Sequence, residues 1–496
     1  MTSPSTDTDT ERLTAFHAAA ERLAEQAPVL LRTALGSGGA EADLFLEASL
    51  YHRITLDGSL RGRSLRLGAP RVERHDVAGL GVRVRRGRAM GYAAAEGLDG
   101  TGWHAAAGRA AATFGTGRTR GEARATVHTG RAVLPPRLPP DAPETAGIPE
   151  KRILLETAIE AAFAFDERVV RARATYYDRT RRVAVHTSWG RAAATATMLL
   201  GLRVEVTLAA GRRGTGTRSV TACAMTGGAC GLGHFFTRAP EAVAREAVER
   251  AAVLLEARPL PPGPVPVVLA AGWGGAWLHE VAGHAFEADV ASEAGCRVGA
   301  RVAGAGLTLL DDPTLPDGRG TAPFDDEATP TRPTVLVEDG VLCALLTDRA
   351  CAETLGLPVT GHARRQDYRH APLPRMTNLV LAPGAATPAD LIAGVRDGLY
   401  VRTAGHGTLQ PGTGTYTLEV VEGTRIEAGR LTHPVAGVRL EGRLAGALTG
   451  IRGVARDGRL ETARGICEKA GQTVPVSVGM PTVLVEGMTV VSRSRL

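Results

Sequence analysis

Two histidines and a glutamate stand close together in the segment LHEVAGHAFEAD, residues 278–289. Glu280 directly follows His279, as a general base follows the first metal-binding histidine in many metalloproteases. The second histidine, His284, comes five residues after the first instead of four. The surrounding residues are small and apolar, and an unpaired histidine buried among them would be costly. Two histidines this close can also be a chance pair at the surface or in the core, but the residue types favour a metal site, with Glu280 placed where a water-activating base would stand.

The five-residue spacing restricts the shape of the helix that carries both histidines. On a regular α-helix, residues five apart point about 140° away from each other, whereas residues four apart differ by only about 40°. A π-bulge resolves this conflict because its hydrogen bonds repeat every five residues. Gly283 directly precedes His284 and would ease the distortion. The sequence therefore predicts a π-bulge or a break between His279 and His284.

Two histidines alone do not complete a catalytic zinc site, which usually has three protein ligands and one open position. From the residue types, the third ligand could be another histidine, an acid or a cysteine thiolate. The chain has six cysteines and no CxxC pair, which favours free thiols in a reducing compartment. Glu287 and Asp289 follow the histidines and could orient them through their second ring nitrogens.

The wider sequence resembles the TldD/PmbA family of metalloproteases, whose pattern is HExxxH followed by a cysteine near the C-terminus. The similarity is densest from about residue 260 to 491 and includes GICEKAGQTVPVSVGMPTVLVEGMTVV, which contains Cys467. DDPTLPDGRGTAPFDDEATPT (311–331) and RHAPLPRMTN (369–378) also look like family motifs. The resemblance implies that His279, His284 and Cys467 bind the metal and that Glu280 is the general base.

The same resemblance carries expectations about cofactor, activity and partners. It implies Zn²⁺, while another divalent transition metal would also suit a site of two histidines and a cysteine. Because the motif is intact, the chain resembles the catalytic TldD type rather than its metal-less TldE/PmbA paralogue. The expected activity is hydrolysis of extended or unfolded peptides, such as leader-peptide removal or maturation of peptide natural products. The expected assembly is a heterodimer with a TldE/PmbA-like chain, or a homodimer.

Two rival functions differ in what they require of these residues. The first is a metal-dependent amide hydrolase that tailors a small-molecule natural product at the same site. The second is a scaffold subunit without activity, which would require a broken motif, and the motif here is complete. Three polar residues of RHAPLPRMTN are candidates for holding a substrate backbone beside the metal, with a solvated loop as the alternative interpretation: His370, Arg375 and Asn378.

Composition limits the compartment and the class of partner. The net charge of +6 is modest for 496 residues and is spread along the chain, which argues against nucleic-acid binding. The N-terminal MTSPSTDTDTER lacks the apolar core of a signal peptide. The longest apolar run, residues 265–278, is too short to span a bilayer. We therefore expect a cytoplasmic protein that binds no membrane.

The order of periodic segments predicts an α+β protein of two domains, with antiparallel or mixed sheets flanked by helices. Residues 1–11 are expected to be disordered, residues 12–257 to form an N-terminal α+β domain, and residues 258–496 to form the metalloprotease domain. The boundary is placed at the Pro-rich RPLPPGP, which begins at Arg258. The helix with the two histidines then belongs to the C-terminal domain.

Overall fold

A computed structural model describes residues 5–61, 64–114, 127, 134–211, 217–410 and 413–492. It confirms the predicted α+β class, with antiparallel and mixed sheets flanked by helices. The chain passes from its first large sheet to its second between Leu255 and Gly263. No helix within the described ranges is long and apolar enough to cross a membrane.

The first half of the chain is built on one antiparallel sheet of long strands. Its strand order is β4-β3-β1-β5-β6-β7, and β2 pairs with β1. The strands are β1 (Glu41–Arg61), β2 (Ser64–Leu67), β3 (Arg71–Arg86), β4 (Ala89–Glu96), β5 (Val169–Thr187), β6 (Ala192–Gly211) and β7 (Thr217–Gly228). The helices are α1 (Ser5–Leu35), α2 (Trp103–Ala112), α3 (Ile148–Phe165), α4 (His234–Thr237) and α5 (Pro240–Leu255), with a 3-10 turn at Pro143–Thr145.

Alternation along β1 assigns the two faces of this sheet. Leu44 lies in the core under α1 and α2, and Leu56 lies in the core under α3 and α5. Because side chains alternate along a strand, the odd-numbered residues of β1 face the other way. Asp43 and Glu47 on that opposite face are buried, and Asp43 binds Arg365 of the second half at 3.0 Å. One face of the sheet is therefore covered by helices and the other by the C-terminal half.

Helix α1 overlaps the stretch of residues 1–11 that the sequence predicts to be disordered. The helix begins at Ser5, so residues 5–11 lie in its first turns, while residues 1–4 lie outside the described residues. The expected disorder of residues 1–11 therefore stays a prediction.

The second half of the chain contains many short strands and short helices. The strands are β8 (Gly263–Leu269), β9 (Leu309–Asp311), β10 (Thr334–Glu338), β11 (Val341–Leu342), β12 (Ala363–Arg364), β13 (Leu373–Pro374), β14 (Asn378–Leu381), β15 (Asp397–Gln410), β16 (Thr415–Glu427), β17 (Arg430–Val435), β18 (Val438–Arg443), β19 (Ile451–Val454), β20 (Arg459–Glu461), β21 (Ile466–Lys469), β22 (Gln472–Pro475), β23 (Ser477–Met480) and β24 (Val483–Ser492). The helices are α6 (Gly275–Leu278), α7 (Ala288–Glu293), α8 (Arg349–Leu355) and α9 (Pro388–Ala393).

Five of these strands form a closed ring. Their order is β15-β8-β24-β18-β16, and β16 pairs back with β15. A six-stranded sheet, β11-β10-β9-β14-β23-β20, lies beside the ring, and β21 pairs with β22 in a separate hairpin. The segment that begins with α6 contacts both β15 of the ring and β23 of the six-stranded sheet. The histidine motif is therefore anchored between the two sheets.

Candidate metal centre

The helix that carries the histidines changes its hydrogen-bonding pattern at the first of them. It is α-helical over Gly275–Leu278, π-helical over His279–Gly283 and 3-10 over His284–Phe286. The backbone N–H of His284 donates to the carbonyl of His279, five residues back. The two imidazole rings are brought to a centroid distance of 5.0 Å, with their planes 75° apart. The predicted π-bulge is confirmed.

Gly283 contributes to this bulge through packing. Its backbone angles, φ −55° and ψ −63°, are open to any residue. A Cβ at this position would lie 2.5 Å from the sulfur and terminal carbon of Met376, too close for any real contact. Gly283 lies within the π-helical segment, as expected, and its lack of a side chain also makes room for Met376 of the β13–β14 segment.

Cys467 lies on β21 and brings a buried thiol to the two histidines. Its Sγ is 3.6 Å from Nε2 of His284, and the ligand atoms of His279, His284 and Cys467 all lie within 4.8 Å of one another. Arg375 is fully buried and donates to the carbonyls of Cys467 and Gln472, which fixes the hairpin. Two imidazole nitrogens and a sulfur form a donor set that suits Zn²⁺.

A buried carboxylate orients the His284 ring. Oε2 of Glu287 lies 3.0 Å from Nδ1 of His284 and 2.9 Å from Nζ of Lys469, while the other oxygen accepts the N–H of Met376. This contact leaves Nε2 of His284 free to face Cys467. Asp289 binds Lys469 at 2.6 Å and does not reach a histidine, so only Glu287 fulfils the orienting role expected of the two acids.

Lys469 is a part of the site that the sequence analysis overlooked. It neutralises Glu287 and Asp289, and it also donates to the carbonyl of Pro374 at 3.0 Å. The chain has only two lysines, and this one stands two residues after Cys467. Its rarity in an arginine-rich sequence and its position near Cys467 could have indicated a role at the site.

The protonation states of the thiol and the imidazole are coupled. Burial favours the neutral thiol, but hydrogen bonds and positive charge from His279 and His284 lower the pKa of Cys467 to about 6. Burial likewise opposes the charged form of His284, yet Cys467 and Glu287 raise the pKa of its ring to about 10. Each group thus favours the charged form of the other, a thiolate beside an imidazolium.

Zinc affinity should rise with pH because binding needs both the Cys467 thiolate and a neutral His284 ring. With pKa values of about 6 and about 10, binding between these limits releases the His284 proton. The apparent affinity should increase roughly tenfold per pH unit from about pH 7 to about pH 9. Competition with a chromophoric chelator of known pH dependence measures this slope. An affinity independent of pH over that interval would contradict the thiolate–imidazolium pair.

Loss of the Glu287 carboxylate should weaken metal binding without removing a ligand. Glu287→Gln cannot hold His284 and Lys469 together, and we expect a fall in zinc affinity of about 10- to 100-fold. Asp289→Asn is the matched control, because it removes a carboxylate from Lys469 but leaves the Glu287–His284 contact. Chelator competition on both variants tests this, and equal affinities in the two would show that Glu287 has no orienting role.

Glu280 lies at the floor of a cleft of about 1040 Å³ that His279 and His284 also line. It is half-buried, and a Cβ at Gly407 would lie 2.8 Å from its Cγ, so that glycine leaves room for the glutamate. No residue in the described ranges forms an ion pair with its carboxylate. The carboxylate is therefore available to a molecule in the cleft.

Two strand edges border this cleft. On one side, β15 pairs with β8 only over Leu399–Val401, and residues 405–409 farther along β15 line the cleft. On the other side, β21 pairs with β22 alone among the described strands, and most of β21 lines the cleft. Free backbone groups on such edges can pair with an extended chain.

The three residues expected to hold substrate do not face this cleft. Arg375 supports the Cys467 hairpin, as described above. Asn378 is fully buried, donating to Asp312 and Thr321 and accepting the N–H of Gly320. His370 binds Asp367 at 2.8 Å in a partly exposed loop. Only the C-terminal part of RHAPLPRMTN, with Arg375 and Asn378, turns its polar side chains inward, and there it supports the Cys467 hairpin and the loop at Gly320.

Comparison with known proteins assigns the chain to a family. The family model described as "PmbA/TldA metallopeptidase C-terminal domain" matches residues 262–492. The model described as "PmbA/TldA metallopeptidase central domain" matches residues 140–255. The chain belongs to the PmbA/TldD metallopeptidase family. The resemblance stated from the sequence is thereby confirmed, and the C-terminal match includes all three candidate ligands.

Relatives support the same family. The metalloprotease TldD homolog of Haemophilus influenzae is 35% identical over 351 residues, which is 69% of this chain and 72% of the relative. A zinc metalloprotease TldD homolog of Saccharolobus solfataricus is 32% identical over 231 residues, 46% of this chain and 52% of the relative. The fold is similar to the crystal structure of TldE from Thermococcus kodakarensis, with a TM-score of 0.66 and 16% identity over 94% of this chain and all of that one.

Proposed function

We propose that this PmbA/TldD-family chain is a zinc-dependent peptidase that cleaves extended or unfolded peptides. The observation that carries the proposal is the convergence of the ligand atoms of His279, His284 and Cys467 at a cleft that both histidines and Glu280 line. The Glu280 carboxylate forms no ion pair within the described residues. A relative described as a zinc metalloprotease supports zinc as the metal. The metallopeptidase family supports amide hydrolysis as the reaction.

The residues of the cleft have distinct tasks in this reaction. When bound, Zn²⁺ supplies Lewis acidity, which lowers the pKa of a water molecule and stabilises negative charge on the scissile carbonyl. Glu280 accepts a proton from the attacking water and delivers it to the departing amine nitrogen. Glu287 keeps the His284 ring oriented while this proton moves. The π-bulge makes these roles compatible by placing both histidines on one side of the helix.

The shape of the cleft favours a peptide over a small amide. Its volume of about 1040 Å³ is at the upper end of typical small-ligand pockets, which range from about 300 to 1,000 Å³. The edges of β15 and β21 can hold a peptide through its backbone, with little dependence on its side chains. Such binding suits two reactions on peptides, removal of a leader peptide and maturation of a peptide natural product.

The test compares substrates of the two classes on one preparation. We expect unfolded peptides to be cleaved by the zinc-loaded chain, with activity lost on chelation and restored by zinc, as followed by mass spectrometry. Small amide metabolites should remain intact under the same conditions. Hydrolysis of the small amides alone would establish the alternative, a tailoring amide hydrolase, in place of the peptidase.

We further propose that the active assembly is a heterodimer with a metal-less TldE/PmbA-like chain, or a homodimer. The family membership and the similarity of the fold to TldE support a paired arrangement. Light scattering recorded alongside the peptidase assay, with and without a TldE/PmbA-like partner, tests this. Full activity from a strictly monomeric preparation would contradict it.

A further inference from the structure

A second, smaller cavity lies between the two halves of the chain, apart from the cleft of Glu280. Its volume is about 60 Å³, and strands β5 and β6 form one wall. Loops of the second half, including residues 319–326 and 361–365, form the other walls. Five arginines line it: Arg179, Arg181, Arg319, Arg364 and Arg365.

Three of these arginines have carboxylate partners. Arg179 and Arg181 both bind Glu47, and Arg181 also faces the two oxygens of Asp326. Arg365 binds Asp43 at 3.0 Å. These three guanidinium groups are therefore compensated by fixed negative charge.

The other two arginines have only neutral partners within the described residues. Arg319 donates to the carbonyl of Gly465 and the hydroxyl of Tyr177, each at 3.2 Å. Arg364 donates to the carbonyls of Met376 and Pro475, at 2.7 and 2.8 Å. Burial lowers the pKa of Arg364 to about 10, although the charges of Asp326 and Asp311 act to raise it. Neither Arg319 nor Arg364 forms an ion pair within the described residues.

The remaining polar groups of the wall leave this excess in place. The carboxylate of Asp325 already accepts the backbone N–H groups of Glu327, Thr329 and Ala363. Burial and the charge of Glu327 raise the pKa of Asp325 well above its usual range, which favours its neutral form. Arg365 is 2% exposed, and its buried Nε has no hydrogen-bond acceptor within the described residues. The cavity wall therefore includes one arginine with an unused donor and two arginines without an ion pair among those residues.

We propose that this cavity binds a small inorganic oxyanion of the phosphate or sulfate type. Guanidinium groups match the oxygens of such an anion in geometry and charge. A volume of about 60 Å³ is large enough for an anion of this size but excludes a nucleotide. Arg319 and Arg364 bind Gly465 and Pro475, which flank the Cys467 hairpin. The anion would therefore tie the first sheet to the base of the hairpin that carries the third candidate ligand.

Thermal unfolding of the full chain at constant ionic strength tests this site. Replacing chloride by inorganic phosphate, up to about 10 mM, should raise Tm by at least about 3 °C, and calorimetry should show a Kd below about 1 mM. The same shift is expected after chelator treatment, which separates this site from any phosphate bound at the metal. Equal Tm values in phosphate and chloride, with no heat of binding, would overturn the proposal without bearing on the peptidase.

Variants locate the anion. In Arg364→Gln and in Arg319→Gln, the phosphate-dependent shift should fall to less than about a third of the wild-type shift. Arg452→Gln is the matched control, because Arg452 is exposed and contacts the surface groups Glu486 and Thr449, away from the cavity. It should retain the full shift. A phosphate-dependent shift in Tm that persists unchanged in both cavity variants would place the anion elsewhere and overturn the proposal. If either variant fails to fold, calorimetry on the wild type decides whether phosphate binds.

Discussion

Glu280→Gln should lower peptidase activity by about two to four orders of magnitude while zinc content stays near that of the wild type. Glutamine keeps the size of the side chain but cannot accept a proton from water. Because Glu280 forms no ion pair in the described parts of the chain, its loss should not disturb the positions of His279 and His284. Peptide cleavage assayed in parallel with elemental analysis measures both quantities.

Glu293→Gln is the control for this charge change. Glu293 is exposed at the end of α7, in the same part of the chain but away from the cleft. The peptidase activity of the Glu293→Gln variant should equal that of the wild type. Wild-type turnover by the Glu280 variant would assign the base to another group in the cleft.

Cys467→Ala should remove most of the bound zinc while the fold persists. The thiol is one of the three candidate ligands, and two histidines alone bind Zn²⁺ far more weakly than three ligands do. After dialysis against a mild chelator, zinc should fall from about one equivalent per chain to below about 0.1. Peptidase activity should fall with it.

The fold should tolerate this substitution because Cys467 contributes a single small side chain to a large apolar core. Cys223→Ala is the matched control, since Cys223 also lines the cleft but is not among the converging ligand atoms. It should keep full zinc content. Full zinc occupancy in the Cys467 variant, with circular dichroism unchanged, would exclude the thiolate as a ligand.

The π-bulge could be predicted from the sequence because two requirements conflicted there. Both histidines had to reach one metal, and a regular α-helix sends residues five apart to different sides. Local geometry therefore sufficed to predict the bulge, which the structure confirms over His279–Gly283. The α+β class was predictable for a similar reason, since strand and helix periodicities are local.

The roles of buried polar residues could not be predicted in this way. Arg375 was expected to touch substrate, yet its acceptors are carbonyls 92 and 97 residues farther along the chain. Nothing in the motif around Arg375 indicates that a distant hairpin will cover it. The contact between Glu287 and Lys469 likewise joins residues 182 apart. Such pairings are set by tertiary packing, which a local pattern does not contain.

X-ray absorption at the zinc edge, on the zinc-loaded chain, tests the central claim most directly. We predict one sulfur at about 2.3 Å and two imidazole nitrogens at about 2.0 to 2.1 Å, with the sulfur contribution absent in Cys467→Ala. A first shell of oxygen and nitrogen alone in the wild type would contradict a metal centre formed by His279, His284 and Cys467.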